Sequence, residues 1–187
     1  YMKVNIQSEY GKLNAVLLHR PGPEIERMTP GNAADALYSD ILNLPIVEKE
    51  YDNFCGVLEK WTKVYYVTDI LAELLSENDT CERLVREACH ADGCDDLAES
   101  LMQHDPKLLA HELVEGVENP IWRHNSREDR YLLQPLYNLF FTRDASSSVY
   151  DRVLINSMSF DVRRRESQLY KAIFENYFGA QTLYARG

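Results

Sequence analysis

No apolar run in this sequence approaches the roughly 20 residues that a membrane-spanning helix requires, so no such span is expected. The opening stretch Tyr1-Met2-Lys3-Val4-Asn5 lacks an apolar h-region and a cleavage-site pattern, and nothing in it argues for secretion. Basic residues are in deficit: 20 Lys/Arg face 30 Asp/Glu, a formal charge of −10. Nucleic acid and anionic membrane both call for basic surface, so neither is expected as a partner. Cysteine is scarce, with Cys55, Cys81, Cys89 and Cys94 making up the whole set, and no two form a C-x-x-C pair. His90 and His104 lie near the last three, which raises the question of zinc. The spacing and the helical surroundings point instead to reduced structural thiols in a cytoplasmic protein, with no metal.

What is present is ordinary globular composition, 45% apolar and 27% charged over 187 residues, enough for a sizeable core. The acidity is local. Residues 67–130 hold 16 Asp/Glu and 6 Lys/Arg, which accounts for the entire net charge and leaves the remainder neutral. A solvated helical surface is the plain reading of that stretch, and it marks the middle of the chain as a separate piece of architecture.

Three parts follow. In residues 1–67, Leu13–Leu18 is a mostly apolar run of strand length closed by His19-Arg20-Pro21-Gly22, and Thr29-Pro30-Gly31-Asn32 is a turn cluster. Ala33 to Leu42 makes a short helix or an ordered loop. Pro45 suits a first helical turn, and Val47, Tyr51, Phe54, Leu58 and Trp61 define one apolar face. Val64–Val67 has the composition of a buried strand. Residues 68–130 repeat short amphipathic stripes, such as Leu84, Val85, Ala88 and Cys89, separated by Asn78-Asp79, Asp92-Gly93 and Asp105-Pro106. This is a helical insertion. Residues 131–187 return to α/β: Leu139–Thr142 as a short strand, a loop from Asp144 to Asp151, Val153–Asn156 as a strand, a helix through Tyr177 closed by Gly179, and Thr182–Tyr184 opening another strand.

Two constellations can carry chemistry. Phe141-Thr142-Arg143-Asp144 follows the expected strand, and a carboxylate there can accept parallel N–H bonds from a planar guanidinium. Arg163-Arg164-Arg165-Glu166 opens the next helix, where an arginine can hold a carboxylate. Taken singly, each is equally a structural or solvated charge cluster. Taken together, an anionic and a cationic residue separated by one strand can grip both ends of an amino acid with a cationic side chain.

The residues carry a resemblance. Gln7-Ser8-Glu9-Tyr10-Gly11-Lys12-Leu13, Leu18-His19-Arg20-Pro21-Gly22, Met28-Thr29-Pro30 and Ala36-Leu37-Tyr38-Ser39-Asp40-Ile41 resemble the opening of the arginine deiminase family. Asn138–Asp144 and Asn156-Ser157-Met158 with Arg163–Glu166 are similar to its next two signatures. The resemblance implies a partial α/β propeller of ββαβ-like units carrying the all-helical insertion. It implies hydrolysis of L-arginine to citrulline and ammonia through a Cys-linked amidino intermediate, without metal or organic cofactor. Asp144 would bind the substrate guanidinium, Arg163 its carboxylate with Asn138 assisting, Phe141 would pack on the aliphatic stem, and Leu37 or a neighbour would cover the pocket. Arg143 is read as structural, and so is His19.

The family's nucleophilic cysteine and its His-x-Asp pair find no match among these 187 residues, so this polypeptide alone is expected to be inactive. A non-catalytic arginine-binding or interaction module, and a piece of a related guanidine hydrolase, are the alternatives. Self-association to a homo-oligomer is also expected, through strand edges and apolar surface left uncovered.

Overall fold

The computed structural model describes residues 3–29, 31–123 and 130–184. Pro30 of the expected turn cluster, the 124–129 part of the acidic stretch, and both chain ends lie outside the described residues.

Strand β1 (Ala15–Leu18) leads through a short helix α1 (Pro23–Glu26) and a loop into α2 (Leu44–Leu58), then β2 (Lys63–Tyr66). β1 and β2 pair in parallel, Ala15 opposite Lys63 through Leu18 opposite Tyr66, the connection a crossing helix demands. Asn43 starts α2 by accepting the Ile46 N–H on its side chain, with proline in the first turn. The inward face of α2 is rotated from the one expected. Leu44 and Cys55 are buried, whereas Phe54 and Trp61 are 50% and 79% exposed. Cysteine, among the most buried residue types, takes the inner position one residue beyond Phe54.

Val67 opens α3 (Val67–Leu74) instead of closing β2. There follow α4 (Asn78–Ala91), a 3₁₀ turn (Asp95–Leu97), α5 (Ala98–Leu101) and α6 (Pro106–Glu115). The Asp105 carboxylate caps α6 at the Lys107 N–H, and α6 stops at Gly116. Gly116 has φ +78, and a Cβ there would come within 2.6 Å of the Leu133 carbonyl oxygen. The amphipathic stripes of this middle part are buried as their spacing requires, Leu84, Val85, Ala88 and Cys89 all at 3% exposure or less. One contiguous core joins them to Leu133, Leu139, Val153, Ile155 and Tyr170 of the last part.

β3 (Val117–Glu118) and β4 (Tyr131–Leu133) form a small antiparallel pair. Next come β5 (Ser146–Val149), β6 (Arg152–Ile155), a 3₁₀ turn (Asp161–Arg163), α7 (Arg164–Ala172) with a π-helical continuation (Ile173–Tyr177), and β7 (Gln181–Tyr184). β5 and β6 pair antiparallel, β6 and β7 parallel, in a three-stranded sheet ordered β5-β6-β7. The molecule is therefore α/β, with small sheets and no closed barrel among the described residues.

Two expectations for this region need correction. Leu139–Thr142 is a run of turns, not a strand: Leu139 donates to Leu136, Phe141 to Asn138, and Asp144 to Phe141. The stretch read as a loop from Asp144 contains β5, whose Ser-Ser-Ser-Val sequence shows no apolar alternation because the strand is half-buried at most.

Candidate functional site

The site is assembled at two loops and one helix start. The first loop, 31–37, ends at Leu37 with φ +67, a strained value for a branched side chain, which is 39% exposed. The second is the turn series from Tyr137 to Asp144. Three side-chain bonds join them: Asn138 Nδ2 donates to the Ala36 carbonyl (2.9 Å), the Tyr38 hydroxyl to the Tyr137 carbonyl (2.9 Å), and Asn32 Nδ2 to the Tyr137 hydroxyl (3.3 Å).

Packing supports the same juncture. Ile25, Met28, Ala36 and Tyr137 form a small apolar cluster, with Tyr38, Phe140 and Val162 packed on it. Four of these are chain neighbours of residues singled out from the sequence: Ala36 of Leu37, Tyr137 of Asn138, Phe140 of Phe141, Val162 of Arg163. One cluster thus positions four candidate side chains. Asn138 is buried, whereas the Phe141 ring, stacked on Phe140 at 4.2 Å, is half-exposed.

Asp144 and Arg163 meet. Arg163 Nη1 donates to Asp144 Oδ2 at 2.8 Å, and the Asp144 carbonyl accepts Asn156 Nδ2 at 2.8 Å. The other edge of the Arg163 guanidinium forks onto Glu166, Nε to Oε1 at 2.9 Å and Nη2 to Oε2 at 2.8 Å. This bidentate geometry fixes the plane of the guanidinium. The Glu166 side chain is 1% exposed, Arg163 12%, and Asp144 47%. Burial raises the Glu166 carboxyl above its ordinary value, and the bonds from Arg163 offset that only in part. Burial likewise lowers the Arg163 affinity for its proton, but the bonds to Glu166 and Asp144 outweigh it and the guanidinium stays charged.

Behind this pair lies a polar group that sequence reasoning passed over as structural. His19 Nε2 and Glu24 Oε1 are 3.0 Å apart, both residues buried, and Glu24 also accepts the Gly22 N–H at 2.9 Å. His19 acts on the charge of Glu166, and Glu24 on that of Tyr38. Glu166 itself was legible as part of the Arg163–Glu166 motif, and the i, i+3 spacing is the signal of its pairing. Arg143 stands apart, bonded at the surface to Glu9 (3.1 Å). Among the described residues no group of three His, Cys, Asp or Glu side chains is placed to hold a metal ion, and no helix is long and apolar enough to cross a membrane.

The arrangement is a guanidinium seated on a turn carboxylate, its plane set by a second carboxylate at a helix start, within an α/β fold. The family model for arginine deiminase matches residues 35–186. The arginine deiminase of Pediococcus pentosaceus is 34% identical, over 93% of this chain and 46% of its own length. Those of Limosilactobacillus fermentum (32%, covering 93% and 47%) and Bacillus cytotoxicus (34%, covering 92% and 46%) are similar in extent. The chain belongs to the arginine deiminase family. It spans about half the length of the curated relatives it matches.

Proposed function

We propose that these residues form the substrate-recognition part of an arginine deiminase, which hydrolyses L-arginine to citrulline and ammonia. The observation that carries the reading is the Asp144 carboxylate, half-exposed at a turn and already bonded to a guanidinium. On this reading the substrate guanidinium takes the place of Arg163 on Asp144. Arg163, held by the Glu166 fork through Nε and Nη2, then offers its freed Nη1 to the substrate carboxylate. Asn138 keeps the Leu37 loop against the turn series, Phe141 lies along the aliphatic stem, and Leu37 covers it.

A guanidinium is resonance-stabilised and attacked poorly by water, so fixing its orientation before attack is a large part of the task. The attacking thiolate is not assigned to any cysteine here. Cys55 is buried in α2, and Cys81, Cys89 and Cys94 lie on α4 and its cap. The proposal extends to architecture: β1-α2-β2 and β5-β6-α7-β7 as units of an α/β propeller in segments 1–67 and 131–187, with 68–130 inserted between them. It includes a cytoplasmic protein that self-associates. The outward side of α2, where Ile46, Phe54, Val57 and Trp61 are each at least half exposed, supports self-association.

The test is citrulline formation from L-arginine by the longest natural gene product that carries these residues. Asp144→Ala should leave its circular dichroism unchanged and abolish turnover. Normal turnover in that variant would remove Asp144 from the site. Measurable L-arginine binding by the 187 residues alone, in calorimetry, would favour the non-catalytic module.

A further inference from the structure

Helix α4 ends in the six residues Cys89-His90-Ala91-Asp92-Gly93-Cys94. The Gly93 N–H donates to the His90 carbonyl at 3.2 Å and the Cys94 N–H to the Cys89 carbonyl at 2.9 Å. These are the paired hydrogen bonds of a Schellman cap, which needs a left-handed residue at its fifth position, and Gly93 has φ +70. Such a cap brings the side chains of its first and sixth residues together, commonly as an apolar contact. Here both are cysteines. The Cys94 Sγ reaches the Cys89 carbonyl at 3.5 Å, which places this thiol over the first residue of the cap. A single backbone hydrogen bond between them keeps the two Cα atoms within the roughly 4.4–6.8 Å that a disulfide spans. Cys81, eight residues earlier on the same helix, is about 12 Å away along the axis.

The cap also fastens α4 to the rest of the molecule. Asp92 accepts the Gln134 N–H at 2.8 Å and pairs with Arg165 Nε at 3.2 Å. Arg165 is buried on α7 and donates further to the carbonyls of Leu113 and Gln134. Cys89 is fully buried and Cys94 partly exposed, so a reagent in solution reaches Cys94 first.

We propose that Cys89 and Cys94 close to an intrachain disulfide on exposure to a low-molecular-weight disulfide such as oxidised glutathione, and that closure fixes the end of α4 against Arg165. The Cys94 thiol gives its proton to solvent, and the thiolate attacks one sulfur of oxidised glutathione. That S–S bond breaks, and one glutathione leaves as a thiolate that takes up a proton. The Cys89 thiolate then attacks the Cys94 sulfur of the mixed disulfide and releases the second glutathione. Two protein thiols lose two electrons and two protons, and one glutathione disulfide becomes two thiols. Burial raises both thiols above their ordinary range, so the attacking form is scarce near neutrality and closure quickens as pH rises.

The experiment treats the folded 187-residue protein with oxidised glutathione, quenches with acid, and counts thiols after unfolding. Of the four free cysteines, two should remain. The tryptic peptide 87–107 should lose two hydrogen masses and regain them with dithiothreitol. Cys94→Ser should keep all three of its thiols and show no such loss. Amide exchange at Gly93 and Cys94 should slow on oxidation. Four surviving thiols, a glutathione adduct that stays on Cys94 without closing, or a disulfide involving Cys55, Cys81 or a second copy would overturn the pairing. Unchanged exchange in the oxidised protein would overturn the fixing of α4.

Discussion

Arg163 holds Asp144 with one nitrogen and Glu166 with two, so a single guanidinium bridges a half-exposed carboxylate and a buried one. The two partners are not equivalent in energy. Removing Arg163 leaves the Glu166 carboxylate, 1% exposed, without its compensating charge, a loss of about 3–5 kcal/mol for buried pairs. Removing Asp144 leaves Arg163 still forked onto Glu166, and a pair with a 47% exposed partner contributes about 1 kcal/mol or less. Urea unfolding should therefore show Arg163→Ala far less stable than Asp144→Ala. The gap should also widen with pH. Burial already raises Glu166, and without the bonds from Arg163 its carboxyl rises further. The variant then binds a proton in its folded state where the parent does not, and it loses stability relative to the parent as pH climbs through that window. Equal losses for the two variants would show that Glu166 is not the main anchor.

Asn138 makes the second test, because it ties Leu37 to the turn series. Its Nδ2 is bonded to the Ala36 carbonyl and the residue is 4% exposed. Asn138→Leu keeps the branched heavy-atom skeleton but leaves that carbonyl unpaired, at a cost of about 1–3 kcal/mol. The consequence should be local as well: amides of residues 33–38 should exchange faster, while those of α4 keep their protection. Unaltered exchange in the loop would mean that the tyrosine bonds alone hold it.

How far the sequence revealed this can be argued residue by residue. Leu84, Val85, Ala88 and Cys89 lie at helical spacing, and all are buried, because a stripe that regular has one way to face a core. Val64 and Tyr65 read as strand for their β-branched and aromatic side chains, and they pair in β2. Leu139-Phe140-Phe141-Thr142 shares that composition yet folds as turns. Leu139 packs in the main core and Phe140 in the small cluster, but the N–H groups of Leu139, Phe141 and Asp144 close turns on carbonyls three residues back, so side-chain composition did not reveal where the backbone bonds go. The rotated face of α2 was hidden because Phe54 and Cys55 compete for the same inward sector, and burial does not follow size alone. The Arg163–Glu166 fork is local in sequence, whereas the Arg163–Asp144 contact spans 19 positions. The sequence linked those two residues as the two ends of one ligand grip, and the fold brings them into direct contact. His19 and Glu24 gave no such signal, since a histidine before a Pro-Gly turn has nothing in its spacing to announce burial.

Gly116 supplies a backbone test of how α6 is joined to β3. Its φ of +78 is unfavourable for any residue with a Cβ. The added carbon would meet the backbone of residues 133–135, at 2.6 Å from the Leu133 oxygen, 2.8 Å from the Pro135 nitrogen and 3.0 Å from the Gln134 carbonyl carbon. None of these atoms is a side-chain end that can step aside. Gly116→Ala should cost more than the roughly 1 kcal/mol of a left-handed residue alone, on the order of 3 kcal/mol, and lower the melting temperature by several degrees. Ala at Gly56, where an added methyl meets nothing within 4 Å, is the matched control and should not lower it. A similar loss at both positions would point to a general effect of alanine and not to the contact with β4.

Burial pushes the Cys89 thiol up to about 12, with the neighbouring Cys94 adding to the effect. The unfolded chain titrates its thiols near about 8.5. The folded protein therefore holds this proton more tightly, and the stability linked to it is complete below about 8.5 and is lost as pH rises through about 12. Urea unfolding under reducing conditions should show the free energy falling across that interval. Cys89→Ala, which has no proton to lose at this position, should start less stable because a buried sulfur is gone, but its curve should fall less steeply. The comparison rests on slopes, so the constant cost of the cavity does not disturb it. Parallel curves for the two proteins would assign the alkaline loss to other groups, the buried tyrosines foremost, since Tyr170 is also raised well above its ordinary value by burial.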